Sequence, residues 1–170
     1  MESNSKKIIK EFVLPSAILA GTARVVIDTV PKILSPNPII YYSTFLICFI
    51  LEIILITIFI KKWKKKNDGY LNIKEALLIG ITMMVVIGII YSISSFIYDT
   101  YVDPDFQVTM LLEWGEMFGS REAIEQQLND TPSKGKSFFG IFSTILWFAF
   151  LGFIISMITG SFLKKSNNEY

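Results

Sequence analysis

Three apolar runs of membrane length, separated by strongly charged segments, constrain the fold of this chain more than any other feature. The runs cover residues 39–60, 76–98 and 138–163, and Glu52 is the only charged residue within them. A helix rises about 1.5 Å per residue, so roughly 20 apolar residues cross a hydrocarbon core about 30 Å thick. We therefore predict transmembrane helices at about 39–60, 74–98 and 138–163, and an all-α integral membrane protein.

A fourth apolar segment, residues 12–23, lies near the start of the chain. Pro15 interrupts it, and Arg24 and Asp28 fall where a spanning helix would continue. Three lysines precede the segment and it ends in the small residues Ala20-Gly21-Thr22-Ala23, a pattern that is also typical of a cleaved signal peptide. We adopt an uncleaved helix at about 10–33, which gives four spans, and keep the signal peptide as the alternative.

The basic residues indicate how these spans are oriented. Residues 61–66, which we call the lysine block, read Lys61-Lys62-Trp63-Lys64-Lys65-Lys66 and directly follow an apolar run. Lysine and arginine are enriched on the cytoplasmic side of membrane proteins, and tryptophan at the interface. With both termini and the loop after residue 60 in the cytoplasm, 11 of the 16 basic residues lie inside. We therefore predict an N-in, C-in multi-pass membrane protein, with Trp63 as an interfacial anchor.

The segment between the third and fourth spans is too long to be a simple connection. From residue 99 to 137 it carries eight acidic and three basic residues. Apolar residues recur there at helical spacing, so we predict an extracytoplasmic amphipathic helical insert at 103–130. Asp103 is expected to cap its first helix, with Pro104 at the first helical position, and Gly119-Ser120 to separate it from a second helix at 121–128. Thr131-Pro132-Ser133 is expected to turn the chain back toward the membrane.

The residue inventory excludes much catalytic chemistry. The chain has no histidine and a single cysteine, Cys48, inside the second span. Zinc sites, histidine-based acid–base catalysis and nucleophiles activated by histidine cannot be built from it. We therefore predict no catalytic, cofactor-binding or metal-binding residues and no enzymatic activity. The net charge of only +1 gives no indication of a nucleic-acid partner.

Glu52 is the most informative single residue, because an acid deep in a membrane needs a partner. Its predicted depth places Arg24 within reach, with Asp28 competing for that arginine. Ser156 and Thr159 lie near the same level and complete a candidate intramembrane polar network. Two interpretations remain open: a paired or neutral glutamate that holds helices in register, which we favour, or a relay point for protons or cations.

Small residues recur every four positions along the third and fourth spans, and they indicate a helix-packing face. Between helices in lipid, close backbone approach over small residues supplies much of the contact energy. We predict that the two helices pack within the chain, with homodimerisation through the same residues as the alternative. The candidate face consists of Gly80, Gly88, Gly152, Ser156 and Gly160.

Three stretches of the sequence carry a resemblance to a known family. They are Lys61-Lys62-Trp63-Lys64-Lys65-Lys66-Asn67-Asp68-Gly69-Tyr70, then Lys74-Glu75-Ala76-Leu77, and Val102-Asp103-Pro104-Asp105-Phe106. In these stretches the chain resembles a family of small bacterial inner-membrane proteins, domain of unknown function 4199. The resemblance implies four helices with a charged helical insert before the last one, and it implies no catalytic residue.

Taken together, these observations predict a non-enzymatic membrane module of unknown molecular function. Its expected partners are membrane lipids and other membrane or envelope proteins, or a second copy of the chain. The alternative from another functional class is a transporter or channel component that uses the intramembrane Glu52.

Overall fold

A computed structural model describes residues 7–34, 37–130 and 138–164, and only the backbone of residues 130 and 138. These residues form six helices. Helix α1 is Ile8–Leu34, α2 is Pro38–Lys66 and α3 is Ile73–Val102. Helices α4 (Phe106–Met117) and α5 (Arg121–Asp130) form the insert, and α6 is Phe138–Leu163. The predicted all-α class is confirmed for the described part of the chain.

Four of these helices, α1, α2, α3 and α6, are long and apolar enough to cross a membrane. Their outward faces carry large exposed hydrophobic side chains, for example Leu46, Phe139 and Phe162, the last of them 85% exposed. In water such broad apolar surfaces would drive aggregation, whereas hydrocarbon chains solvate them. The chain is a multi-pass membrane protein.

Helix α3 is the centre of the bundle. It makes its most extensive contacts with α6 and its next most extensive with α1, while α2 packs less closely against all three. Half of its apolar window is buried, more than in any other spanning helix. We call the end of the bundle that carries the lysine block the basic end, and the end that carries α4 and α5 the insert end.

Helix α1 accommodates Pro15 by beginning with a wider helical turn. Its residues Ile8–Val13 are π-helical, and the Leu14 amide donates to the Ile9 carbonyl five residues back. Proline lacks an N–H group and blocks a normal α-helical interior. Because Pro15 is only the second residue of the α-helical part, its missing donor falls near a helix start, where it is tolerated.

The lysine block belongs to α2 and not to a loop. The helix continues from the apolar run through Lys66 and ends at Asn67. Trp63 is buried, with its ring centroid 5.6 Å from that of Phe12 in α1, so its prediction as an interfacial anchor is wrong. Lys64 donates from Nζ to the Leu163 carbonyl at 2.9 Å and thereby ties α2 to the end of α6. Lysine favours helices, and its long apolar stem lets a charged tip remain outside a packed face.

The turn between α2 and α3 follows from its sequence. Asp68 and Gly69 adopt positive φ angles of 50° and 83°, which glycine adopts freely and aspartate tolerates. Asn72 then caps α3, its side chain accepting from the Lys74 amide while Glu75 accepts from the Asn72 amide. This reciprocal capping box fixes the start of α3.

The insert begins two residues later than the predicted cap. Asp103 and Pro104 form a turn, in which the Phe106 amide donates to the Asp103 carbonyl, and α4 starts at Phe106 with Asp105 before it. The reason is that α3 runs on as a π-helical turn, Tyr98–Val102, closed by the Asp103 amide on the Tyr98 carbonyl. Gly119 ends α4 in a left-handed conformation, φ 67°, as a helix C-terminus often requires. The predicted turn at residues 131–133 lies outside the described residues.

Candidate functional site

A buried ion pair joins α1 to α2 near the middle of the bundle. The Arg24 guanidinium donates from Nη1 to Oε1 of Glu52, and both side chains are less than one tenth exposed. Asp28 does not compete for the arginine, because it pairs with Lys32 one turn further along α1, at 2.7 Å. The arginine and glutamate that the sequence singled out therefore lie in direct contact.

Arg24 also reaches across the bundle to two aromatic rings. Its guanidinium carbon lies 4.7 Å from the ring centroid of Tyr91 in α3 and 4.7 Å from that of Phe148 in α6. A guanidinium near aromatic faces gains cation–π attraction, which is stronger where water is excluded. The Arg24 Nε is buried without a hydrogen-bond partner. The side chain thus connects four helices while part of its donor capacity stays unused.

The ion pair forms part of the wall of a large, partly open cavity. The cavity has a volume of about 620 Å³ and is lined by Arg24, Phe45, Phe49, Glu52, Tyr91, Ser143, Thr144, Trp147, Phe148 and Leu151. A second, mostly apolar groove of about 250 Å³ lies between α1 and α2 and is also lined by Arg24 and Glu52, together with Cys48. The pair therefore separates two spaces, each large enough for a ligand or several lipid methylene groups.

Ser156 and Thr159, the other predicted members of the network, do not join the pair. The Ser156 hydroxyl donates to the Gly152 carbonyl of its own helix, at 2.5 Å, and lies in the contact with α3. Thr159 is half-buried and makes no hydrogen bond to Glu52. Both residues sit toward the basic end of α6, whereas Arg24 approaches α6 at Phe148, two turns earlier.

The small residues of α3 and α6 meet within the chain. A Cβ atom on Gly80 would lie 2.5 Å from the Cβ of Ser156, and one on Gly152 would lie 2.7 Å from the Gly80 carbonyl oxygen. Gly160 contacts Ala76, and Gly88 contacts the Phe148 side chain in the same way. The five residues of the candidate face are therefore occupied by contacts between α3 and α6, at separations that leave no room for larger side chains.

A second buried charge site lies at the insert end and was not predicted. The Lys32 Nζ lies 4.8 Å from the ring centroid of Tyr98 and 5.5 Å from those of Tyr41 and Phe106. These three rings come from α3, α2 and α4, and with Asp28 they enclose the lysine. We call Lys32 and the three rings the lysine cage. The spacing of Asp28 and Lys32, four residues apart, was the only signal in the sequence.

Polar side chains continue from the lysine cage along the insert end. Gln107 of α4 donates from Nε2 to the Tyr41 hydroxyl at 3.2 Å and to Asp99 at 3.3 Å. Asp99 is buried and also accepts from the Ser95 hydroxyl at 3.0 Å. Buried polar groups are stable when they are hydrogen-bonded in this way. Gln107 therefore fastens α4 to both α2 and α3.

The structure shows no sign of a metal centre in the residues it describes. Across 7–34, 37–130 and 138–164, no three histidine, cysteine, aspartate or glutamate side chains are grouped so that they could hold an ion. The buried acids lie instead beside cations or amides, Glu52 next to Arg24, Asp28 next to Lys32, and Asp99 next to Gln107.

Comparison with known proteins gives one match. A family model described as "Protein of unknown function (DUF4199)" matches residues 16–165. No curated protein and no solved structure matches the chain. The matched range contains Arg24, Glu52 and the lysine cage, as well as all of α2 to α6.

Proposed function

This chain belongs to the DUF4199 family of proteins of unknown function, and we propose a role for it. We propose that the protein is a non-enzymatic module of the bacterial inner membrane that binds another membrane or envelope protein through its insert. Both termini lie in the cytoplasm, and α4 and α5 lie on the extracytoplasmic side.

The distribution of basic residues supports this orientation. Apart from Arg24 and Lys32, the basic residues that the structure describes in the first half of the chain lie at the basic end, in residues 7–10 and 61–74. Arg24 and Lys32 are buried and paired inside the bundle, so they are not loop charges. The positive-inside rule counts charges in short loops and near helix ends. When the two buried cations are left out of the count, the excess of basic residues at the basic end over the insert end becomes larger.

The observation that carries the proposal is the way the insert is held. Helix α4 is anchored by the buried Phe106 and Met110, which pack with Tyr41 of α2. Helix α5 packs chiefly against α4, and none of its side chains from residue 121 to 129 is buried. A rigid base with an exposed second helix presents a fixed surface to a partner, which lowers the entropy lost on binding.

The exposed surface of the insert is acidic with an apolar edge. Glu116, Glu122 and Glu125 are exposed, and hydrogen bonds from Arg121 to Glu125 and Glu116 raise the pKa of Arg121. Met117 and Phe118 are 49% and 66% exposed at the end of α4. An apolar patch with a charged rim is the composition typical of a protein interface. We infer a partner whose contact surface is basic at its rim.

Crosslinking in membranes, followed by purification and identification of accompanying proteins, tests the proposal. We expect the Glu122→Lys variant, which reverses an exposed charge on α5, to lose a partner that the unaltered chain retains. Glu11→Lys is the matched control, since Glu11 is also exposed but lies at the basic end. Equal recovery of every accompanying protein with both variants would contradict a partner surface on the insert.

A second candidate function is a transporter or channel component that uses Glu52. The observation in its favour is the position of the Arg24–Glu52 pair between two cavities, of about 620 and 250 Å³. Ionisable residues inside a membrane bundle commonly mark ion or substrate pathways. Reconstitution in liposomes, with Glu52→Gln as the comparison, distinguishes it: flux that requires Glu52 favours transport, and absence of flux favours the module.

A further inference from the structure

We propose that the 620 Å³ cavity binds a monocarboxylic acid with an apolar chain, and that the ligand carboxylate replaces Glu52 on Arg24 while its proton moves to Glu52. This inference concerns the same Arg24–Glu52 site as the second candidate function and takes nothing else from it. Binding requires no transport, and the site is separate from the insert surface, so failure of one proposal is distinguishable from failure of another.

The cavity has the size and lining of a small-molecule site. Such sites typically have volumes of about 300 to 1,000 Å³ and combine apolar walls with a few placed polar groups. Here most of the wall is apolar and aromatic, including Phe45, Phe49 and Trp147, and the charged groups of the lining are Arg24 and Glu52, with the hydroxyl residues Ser143 and Thr144 elsewhere in the wall. The ligand class that fits this division is an amphiphile with one polar end.

Arg24 supplies the recognition of that polar end. A guanidinium has five N–H donors in a planar fork and takes a carboxylate through two parallel hydrogen bonds. The structure uses one nitrogen on Glu52 and leaves the buried Nε without a partner, although the side chain is only 9% exposed. A ligand carboxylate would therefore find donors that Glu52 does not satisfy.

Charge balance determines the form in which the ligand enters. The Arg24–Glu52 pair is neutral as a unit, and adding a bare carboxylate to a low-dielectric site is unfavourable because the new charge loses its hydration. The neutral acid avoids this cost. The O–H bond of the ligand breaks, and a new O–H bond forms on the Glu52 carboxylate. The electron pair stays on the ligand, which accepts hydrogen bonds from Arg24, so the site carries no net charge before or after the exchange.

The other titratable groups around Glu52 do not offer a competing acceptor for the proton of the ligand. From α1, Arg24 faces it directly and Asp28 is held by Lys32. From α2 and α3, Cys48 and Tyr91 are near, and both side chain types are ordinarily neutral at pH 7. Helix α6 contributes no titratable residue between 138 and 163. A proton that arrives with the ligand therefore has Glu52 as its acceptor.

Calorimetric titration of the full chain in lipid nanodiscs with decanoate tests the proposal. Decanoate is ionised near neutral pH, so binding as proposed takes up one proton from the buffer for each ligand bound. Repeating the titration in buffers of different ionisation enthalpy measures that number. We expect uptake of about one proton and an affinity that falls about tenfold per unit rise in pH. Protein-free nanodiscs give the background, and decanol, which lacks the carboxyl group, is expected to show no proton uptake.

Variants locate the site. Glu52→Gln, which leaves Arg24 charged and needs no proton, is expected to bind decanoate more tightly and independently of pH. Thr144→Phe fills the cavity away from the ion pair and is expected to weaken binding at least tenfold, whereas Leu146→Phe, on the exposed face of the same helix, is the matched control.

Absence of decanoate binding to the unaltered chain, or binding without proton uptake, would overturn the proposal. This measurement needs no substitution, so it decides the matter even if Glu52→Gln does not fold.

Discussion

The two halves of the bundle are held together by different interactions. At the basic end, α3 and α6 meet through glycine, alanine and serine, and the core is filled by Ile56, Ile79 and Met83 with no exposed surface. Toward the insert end, five buried side chains of the charged types, Arg24, Asp28, Lys32, Glu52 and Asp99, lie within reach of one another or of aromatic rings, and cavities of about 620 and 190 Å³ open beside them.

The difference shows how a small membrane protein can combine stability with a site. Close backbone contact over small residues is sufficient to join two helices in lipid. Buried charges contribute little net stability, because desolvation offsets their attraction, but each of them requires its partner. The basic end therefore acts as the rigid foundation, and the insert end holds polar groups in a defined arrangement. The following predictions test that division, from the largest expected effect to the smallest.

Substitution of a glycine in the tight half is expected to have the largest effect. In Gly152→Leu the new Cβ atom would lie 2.7 Å from the Gly80 carbonyl oxygen. This oxygen belongs to the backbone of α3, so the clash can be relieved only if α3 and α6 move apart. Because the obstacle is backbone and not the end of a flexible side chain, we expect the cost to lie well above the ~1–3 kcal/mol usual for overpacking, enough to prevent α3 and α6 from packing. We expect loss of monodisperse protein in size-exclusion chromatography. Gly140→Leu is the matched control on the same helix, since a Cβ there meets nothing within 4 Å; equal behaviour of both variants would refute the packing argument.

Removal of one partner of the central ion pair is expected to come next. Glu52→Leu leaves the Arg24 charge buried and unpaired, which typically costs about 3–5 kcal/mol. The double variant Arg24→Met/Glu52→Leu replaces the pair by apolar side chains and is expected to recover most of that loss. Thermal unfolding in detergent measures both. If the double variant were no more stable than Glu52→Leu, the pair would not be the reason for the loss.

Removal of the caged cation is expected to act locally. Lys32→Met deprives three rings of their cation and leaves Asp28 without its partner, at a cost of about 1–3 kcal/mol. Because the cage includes Phe106, we expect faster proteolysis within α4 and α5 while the rest of the bundle stays resistant. Lys74→Met, an exposed lysine at the basic end, is the control. Unchanged cleavage of the insert would show that the cage does not hold it.

Removal of a surface ion pair is expected to have the smallest effect. Arg121 contacts Glu116 and Glu125 on the exposed side of the insert, at 2.5 and 2.8 Å. Exposed pairs contribute little because water and salt screen them. Arg121→Ala should leave the thermal unfolding midpoint unchanged at moderate salt. A clear drop would mean that the insert depends on its surface charges more than on Phe106 and Met110.

Much of the architecture could be predicted from short-range patterns. The lengths of three apolar runs predicted spans, which are observed at Pro38–Lys66, Ile73–Val102 and Phe138–Leu163, and the fourth span, adopted over a signal peptide, is observed as a long apolar helix, Ile8–Leu34. The spacing of small residues singled out Gly80 and Gly152, which lie in contact in the structure. Both patterns depend on geometry within one helix, its rise and its period, and local sequence specifies that geometry.

Other features could not be predicted in this way. The continuation of α2 through the lysine block brings Trp63 into contact with Phe12, more than 50 positions earlier in the chain, and no local pattern indicates that contact. Ser156 was placed with Glu52 from depth alone, but depth does not specify which way a side chain faces. The lysine cage draws its rings from three helices, and no spacing along the sequence relates them.

The sequence by itself determined that this chain resides in a membrane, where its three strongest spans lie, and which of its charges are out of place. It did so because hydrocarbon tolerates only long, internally hydrogen-bonded apolar segments. The tertiary structure alone decided the partners of those charges, Glu52 for Arg24 and Asp28 with three rings for Lys32. Those choices depend on the rotation and separation of helices around α3, which are set by packing between segments distant in sequence.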